Sequence, residues 1–214
     1  MNAAPFTPLT IEVMSTCRIN RGAETVAPTP GAAGLLAILA DRRATPVNVT
    51  ELRRSLWTSP PDSAVSMIRG YVRELRAHLG AQAVETIQAP RGCTGAYRLA
   101  VTADATDIGR FRRAGRFGDQ AHREGHQLGA LAYHAEALAV WTGGIPPHMT
   151  ATPRLEALAR EWQRVRAGLV ERYAADAAAA GLGDRAAAEI ATLHYAHPER
   201  AEAERLYRLI CAPV

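Results

Sequence analysis

The feature that most constrains the fold is the stretch at residues 60–80, PPDSAVSMIRGYVRELRAHLG. Its apolar residues recur every three or four positions: Val65, Ile68, Val72, Leu75 and Leu79. This period predicts a helix over 63–79, roughly 25 Å long, with Asp62 or Ser63 as its cap and Gly80 as its end. One side of the helix must therefore face a core, while the other side carries three arginines: Arg69, Arg73 and Arg76.

Shorter elements flank this helix. Upstream, the apolar run 32–40 predicts a helix. ELRRSLW at 51–57 predicts another, capped by Thr50 and ending near Trp57 because the following TSPP forces an extended turn. Downstream, two strand-like runs joined by the tip RGCTG predict a hairpin over 85–101. Three helices, the last two joined by a tight turn, and then a hairpin are typical of a winged helix-turn-helix.

The first 30 residues predict short strands. LTIEV at 9–13 has strand composition, and residues 24–26 form a second short run. The polar residues 14–21 between them are expected to form a connection.

After Ala103 the chain becomes helical in pattern and rich in Ala, Leu and Arg. Five helices are predicted, at 107–127, 129–141, 153–180, 184–196 and 199–210. Their layout favours TPR-like helical repeats, although we find no fixed sequence period. The predicted fold class is therefore mainly α with a small β component: an N-terminal winged helix-turn-helix at 1–102, followed by an α-helical TPR-like repeat domain at 103–214.

The charge is unevenly distributed along the chain. All 25 basic residues are arginine, against 21 acidic residues, for a net charge of +4. Residues 1–100 hold 11 of these arginines and 7 of the acidic residues, so the whole excess lies in the first half. A local basic excess favours an anionic partner.

Several functional classes find no support in the sequence. It has no glycine-rich phosphate loop, zinc spacing or nucleophile motif, so we predict no catalytic residue, cofactor or metal site, and no enzyme. The 3 cysteines have no metal or redox spacing, which is typical of a reducing compartment. No secretory signal and no membrane-spanning run are visible. We therefore expect a cytoplasmic, nucleoid-associated protein without a membrane partner.

The central motif resembles that of the Streptomyces antibiotic regulatory protein (SARP) family. The resemblance rests on Leu56-Trp57, on PPDSA at 60–64 and on YVRELRAHLG at 71–80. AEALAVWTGG at 135–144 and the long helix at 153–181 also resemble the family's second domain. The similarity extends over nearly the whole chain, and the central motif is its most specific part.

The resemblance implies a transcriptional activator with an OmpR-type winged helix and a bacterial transcriptional activation domain. Such proteins bind repeated promoter sites and recruit RNA polymerase, with a sigma factor region as the expected contact. They usually serve a specialised-metabolite gene cluster. The second domain is expected to be shorter than that of the family. A shortened domain favours self-association, and a homodimer is its simplest form.

Glu74 departs from the family pattern, which has a second arginine beside Arg73. Its carboxylate could accept a hydrogen bond from cytosine N4, orient Arg73, or repel phosphate. The hairpin tip is also longer than usual and carries Arg91.

The candidate DNA-binding residues lie on the central helix, around the turn before it and at the hairpin tip. They are Arg53, Arg54, Thr58, Ser66, Arg69, Gly70, Tyr71, Arg73, Arg76 and Arg91. The alternative for the arginines is a solvated helix face. For Tyr71 the alternative is packing, and for Arg76 it is support of the fold.

Other conspicuous residues have simpler interpretations. The three tryptophans, Trp57, Trp141 and Trp162, are expected to be structural anchors. The pair His122 and His126 has metal-ligand spacing but no further ligand nearby. The arginines of the first helix after residue 103 are either solvated or extend a DNA footprint: Arg110, Arg112, Arg113 and Arg116.

Two functional hypotheses follow. The first is a sequence-specific DNA-binding transcriptional activator. The alternative is a helical interaction or ligand-binding module with weak DNA affinity that modulates a full-length regulator. The salt dependence of DNA binding discriminates between the two.

Overall fold

The computed structural model describes residues 9–42, 45–88, 95–141 and 146–211. By its internal contacts the chain divides into two compact units. The first comprises Met1–Arg110 and Trp141–Ala159, and the second Phe111–Val140 and Arg160–Val214. The boundary between residues 102 and 103 stays a prediction from the sequence.

The first unit begins with a three-stranded antiparallel sheet in the order β1-β2-β3. Its strands are β1 (Leu9–Glu12), β2 (Arg18–Arg21) and β3 (Glu24–Val26). The central strand β2 contradicts the predicted polar connection at 14–21. Its sequence RINR has a single apolar residue, Ile19, which pairs with Ile11 on one side and Val26 on the other. Pairing on both edges thus stabilises a strand whose own composition is too polar to indicate one.

The helices and second sheet of this unit follow the predicted winged-helix order. They are α1 (Pro30–Arg42), β4 (Val47–Asn48), α2 (Val49–Leu56), α3 (Ala64–Leu79), β5 (Val84–Ile87) and β6 (Ala96–Leu99). The strands β5 and β6 form the predicted hairpin, and β4 pairs with the other edge of β6. The sequence did not indicate β4, because two residues carry no strand period.

Helix α1 is the centre of the first core. Every residue from Ala32 to Ala40 is buried, so this helix is covered on all sides. Helix α3 contributes Ile68, Val72, Leu75 and Leu79, each at most 3% exposed. Four of the five predicted apolar residues of α3 therefore face the core, whereas Val65 is half-buried.

The ends of α2 and α3 show which predicted caps are correct. Thr50 is not the cap of α2: the N-cap is Asn48, whose Oδ1 accepts a hydrogen bond from the Glu51 backbone N–H at 2.7 Å. Helix α2 starts earlier than predicted because β4 delivers the chain to Asn48 in an extended conformation, with its amide oxygen over the first turn. Gly80 ends α3 at a φ of +99°, as predicted.

A buried carboxylate, that of Asp107, binds the backbone just after β1. Asp107 accepts hydrogen bonds from the backbone N–H groups of Val13 and Met14 through Oδ2, at 2.7 and 2.8 Å. Burial raises the pKa of Asp107, and these amide donors oppose that shift by stabilising the anion. Asp107 therefore fixes the start of the following helix against the end of β1.

The remaining helices are α4 (Asp107–Arg123), α5 (Gln127–Val140), α6 (Pro153–Ala179), α7 (Ala187–Ala196) and α8 (Ala201–Cys211). All five correspond to predicted helices. Helix α4 ends four residues early because Gly125 turns the chain with a φ of +76°. Helix α7 starts late because residues Gly183–Arg185 form a 3-10 turn instead. Mainly helical structure with two small sheets confirms the predicted fold class.

A buried polar cluster connects three helices of the second unit. His134 on α5 is fully buried, with Nδ1 3.0 Å from Asp176 Oδ2 and Nε2 3.3 Å from Asp119 Oδ1. The other oxygen of Asp176 lies 2.6 Å from Nδ1 of His122. His122 is thus paired with a carboxylate. Among the described residues, no group of three His, Cys, Asp or Glu side chains has the arrangement to hold a metal ion.

The tryptophans and Cys17 are buried or half-buried. Trp162 is 2% exposed in the second core, whereas Trp57 and Trp141 are half-buried. Burial raises the pKa of the Cys17 thiol to about 12, so this cysteine stays protonated. No helix in the described ranges has the length and apolar character required to cross a bilayer.

Candidate nucleic-acid interface

The side of α3 opposite the core carries the predicted contact residues. Ser66, Arg69 and Arg73 are exposed, and a Cβ built on Gly70 would meet no atom within 4 Å. Within the described parts of the chain, neither Arg69 nor Arg73 has a hydrogen bond or an ion pair. Because the two residues are four positions apart, they present two unpaired guanidinium groups one helical turn from each other.

Several other arginines of the first unit have partners within the protein. Arg21 donates from Nη2 to the Leu79 carbonyl at 2.7 Å and so caps the end of α3. Arg42 pairs with Glu51, and Arg98 pairs with Glu85 across the hairpin. The basic excess of this unit is therefore not spread evenly over its surface, and the outer side of α3 keeps its charge.

Arg76 lies on the hairpin side of α3 and binds the hairpin itself. Its guanidinium donates to the Val84 carbonyl from Nε at 2.8 Å and Nη2 at 2.6 Å, and Nη2 also reaches Thr86 Oγ1 at 2.9 Å. Arg76 thus connects α3 to β5. Its role as a DNA contact remains a prediction, while its support of the fold is visible.

Tyr71 lies on the other flank of α3 and packs against two residues. Its ring stacks on Trp57, with centroids 6.2 Å apart and planes 19° from parallel. A Cβ on Gly31 would lie 2.2 Å from the tyrosine ring, so only glycine leaves room for it there. The packing alternative for Tyr71 has direct support, and its phosphate contact stays a prediction.

Glu74 is bound by the residue that precedes α1. The Thr29 backbone N–H donates to Oε1 and the Thr29 hydroxyl donates to Oε2, both at 2.7 Å. Both carboxylate oxygens are thereby directed at Thr29. None of the three roles suggested by the sequence describes this arrangement, in which Glu74 connects α3 to the start of α1.

The turn side of the interface carries Arg53, Arg54 and Thr58. Arg54 and Thr58 are exposed, and Arg54 has no hydrogen bond or ion pair within the described residues. Arg53 is half-buried, and its Nε has no hydrogen-bond partner in the described structure. Arg91 of the hairpin tip lies outside the described residues.

Two relevant residues were missed by sequence reasoning. Met67 is 36% exposed on α3 and lies outside the apolar period of that helix. Thr29 had no local signal at all, since its partner Glu74 is 45 positions away. An exposed apolar side chain such as that of Met67 is suited to contact a thymine methyl group.

The arginines of α4 are partly engaged. Arg110 donates from Nη1 to the Asp104 carbonyl at 3.0 Å, and Arg113 lies 3.9 Å from Glu136. Arg112 also has an interaction, whereas Arg116 is exposed. These contacts favour the solvated structural face over a DNA-binding one for most of the group.

The order of the elements and the arginine-bearing side of α3 define a winged helix-turn-helix protein with an added helical unit. Residues 106–212 match the family described as "Bacterial transcriptional activator domain". The chain belongs to this family, and the resemblance to SARP-type regulators is confirmed.

Two similar proteins are regulators by name. "Transcriptional regulatory protein EmbR" of Mycobacterium tuberculosis is 28% identical over 173 residues, which cover 80% of this chain and 45% of that protein. "Regulatory protein DnrI" of Streptomyces peucetius is 28% identical over 143 residues, which cover 64% of this chain and 53% of that protein. The chain thus spans about half the length of the curated relatives it matches. Membership of the activator-domain family agrees with the expectation of a regulator and not an enzyme.

A solved structure has the same fold. It is that of Mycobacterium tuberculosis EmbR in complex with a low affinity phosphopeptide. The TM-score is 0.80 at 25% identity, over 94% of this chain and 54% of that one.

Proposed function

We propose that the protein is a sequence-specific DNA-binding transcriptional activator. The observation that supports this most directly is the pair of unpaired guanidinium groups of Arg69 and Arg73 on the exposed side of α3. A guanidinium can bind guanine O6 and N7 bidentately or clamp a phosphate. A major groove about 12 Å wide accepts one helix.

In this proposal α3 enters the major groove, with Ser66 and Gly70 beside the two arginines. Arg53, Arg54, Thr58 and Tyr71 serve the phosphate backbone, which positions a protein without specifying sequence. The hairpin acts as the wing, with Arg91 at its tip, and Arg76 keeps the wing attached to α3. The protein acts in the cytoplasm, at the nucleoid.

The helical unit supplies the activating function. Membership of the activator-domain family supports contacts with RNA polymerase, with a sigma factor region as the expected partner, and a homodimer on repeated promoter sites. Similarity to regulators such as DnrI and the SARP-type central motif support a specialised-metabolite gene cluster as the target.

The first experiment selects binding sites from genomic fragments with the purified protein at two salt concentrations. We expect one promoter region with a repeated element to remain enriched at the higher salt. A binder with about four phosphate contacts should show a slope of log affinity against log salt near −3.6, that is, roughly −0.9 per contact. Uniform, salt-sensitive retention, or none, would favour the alternative of an interaction module.

The variant Arg73→Ala tests whether the unpaired guanidinium group of Arg73 binds DNA. We expect it to weaken binding to the selected site by about 1–3 kcal/mol at fixed salt, because a bidentate base contact is lost. Arg205→Ala is the charge-matched control: Arg205 pairs with Glu202 on α8, outside the first unit, and its loss should leave affinity unchanged. Equal affinity of the Arg73 variant and the wild type would remove Arg73 from the interface.

A further inference from the structure

Gly70 lies inside α3, a helix of 16 residues, where glycine is unfavourable relative to alanine because it loses more backbone freedom. Its φ is not among the positive values found at described glycines, so its backbone conformation needs no glycine. The helix therefore tolerates a destabilising residue that its own geometry does not demand.

Two other helix glycines are explained by close packing. A Cβ at Gly31 would lie 2.2 Å from the Tyr71 ring, and one at Gly118 would lie 2.2 Å from the His134 ring. At Gly70, by contrast, a Cβ would meet no atom within 4 Å. No described contact within the protein accounts for a missing side chain at this position.

The surroundings of Gly70 indicate what its open side meets. Ser66 lies one turn before it, and Arg69 and Arg73 flank it on the exposed side of α3. Both arginines are without hydrogen bonds or ion pairs in the described structure. Bare helix backbone is thus presented beside two long cationic side chains, which leaves room for an anionic partner to approach the helix closely.

We infer that Gly70 is the point where the backbone of α3 comes closest to the base edges in the major groove, and that it positions Arg69 and Arg73. A helix with its side chains is about 10–12 Å across, which nearly fills a groove about 12 Å wide. A residue without a side chain lets the helix lie deeper. Arg69 and Arg73 then reach the bases beside the contact. This inference rests on the proposed DNA-binding function.

The test replaces Gly70 with Ala and with Gln in the full chain. Both are better helix formers, and the Cβ of either residue would meet no atom within 4 Å. We expect both variants to unfold at a temperature a few degrees above the wild type. We expect affinity for the selected promoter fragment to fall, by a few-fold for Gly70→Ala and at least tenfold for Gly70→Gln. A gain in stability with a graded loss of binding is a combination that a merely structural residue would not produce.

Gly168→Ala is the matched control. Gly168 lies inside α6, and a Cβ there would meet only the end of the Arg172 side chain at 3.4 Å. This variant should also raise the unfolding temperature, and it should bind the fragment as the wild type does.

Three results would overturn the inference, and they differ from one another. Unchanged affinity of both Gly70 variants, with weaker binding by Arg73→Ala, would refute the close approach and leave the DNA-binding function intact. A lower unfolding temperature of the Gly70 variants would show an intramolecular role for the glycine. Absence of specific binding by the wild type would refute the proposed function and this inference with it.

Discussion

Glu74 illustrates how the partner of a single residue decides its role. A carboxylate next to Arg73 on an exposed helix would ordinarily weaken binding to a polyanion. Here the Thr29 N–H and hydroxyl hold both of its oxygens, so the negative charge is directed at the start of α1. The same two hydrogen bonds fix the position of α3 relative to the helix at the centre of the core.

Glu74→Ala is expected to destabilise the first unit by about 1–2 kcal/mol, because two charge-assisted hydrogen bonds are lost at a partly exposed site. Urea unfolding of the variant and of Thr29→Ala gives the comparison. The double variant should cost less than the sum of the single ones, because both single variants remove the hydrogen bond between the Thr29 hydroxyl and Glu74. Unchanged stability together with an altered binding-site preference would instead assign the carboxylate to the DNA.

Gly31 and Tyr71 show a related dependence between distant residues. The tyrosine ring occupies the space that a side chain at Gly31 would need, and it stacks on Trp57 at the end of α2. One aromatic residue of α3 therefore contacts both other helices of the winged helix. Its position is a consequence of packing, whatever it contributes to DNA binding.

At the scale of elements, the turn between α2 and α3 and the hairpin hold α3 from two sides. Arg76 connects α3 to β5 through two hydrogen bonds to one carbonyl, and Arg21 caps the C-terminal end of α3. Of these two arginines, Arg76 is also a candidate DNA-binding residue in the sequence. Their loss would affect DNA binding through the position of α3.

The start of α2 provides a prediction at this scale. Asn48→Ala removes the side-chain cap and is expected to cost about 0.5–2 kcal/mol of stability, measured by chemical unfolding. Thr50→Ala leaves the bond between Asn48 and the Glu51 N–H intact, so it should cost less. The reverse order would mean that Thr50 is the cap after all.

At the scale of the whole molecule, His148 links stability to pH. It lies in the 3-10 turn Pro147–Thr150, is 8% exposed, and its Nε2 has no hydrogen-bond partner among the described residues. Burial lowers the pKa of His148 from 6.5 to about 4. Between these two values the unfolded chain binds the proton and the folded chain does not.

The free energy of unfolding should therefore fall as the pH is lowered from 6.5 to 4, with His148 contributing up to about 3 kcal/mol of that loss. His148→Gln keeps a polar side chain without a titrating group. As the pH falls from 6.5 to 4, the unfolding free energy of this variant should rise relative to that of the wild type. Urea unfolding at several pH values measures the difference. Identical pH profiles of the two proteins would contradict the prediction.

The sequence by itself determined the elements whose signals are local. The apolar period of α3, the prolines before it and Gly80 after it act within a few residues, which is why its bounds were predicted almost to the residue. The same holds for the hairpin and for the order of the five later helices. The outward position of Arg69 and Arg73 also follows from this period.

Only the tertiary structure decided which polar side chains have hydrogen-bond partners within the protein. Thr29 and Glu74 are 45 positions apart, and Asp107 is 94 positions from the Val13 amide it binds. No local pattern encodes such pairs, because they form only when the chain is packed. The short strands β2 and β4 were missed for the same reason, since pairing with neighbours and not their own composition stabilises them. Arg76 and Arg73 look alike in the sequence, and packing alone directs one to β5 and leaves the other without a partner in the described chain.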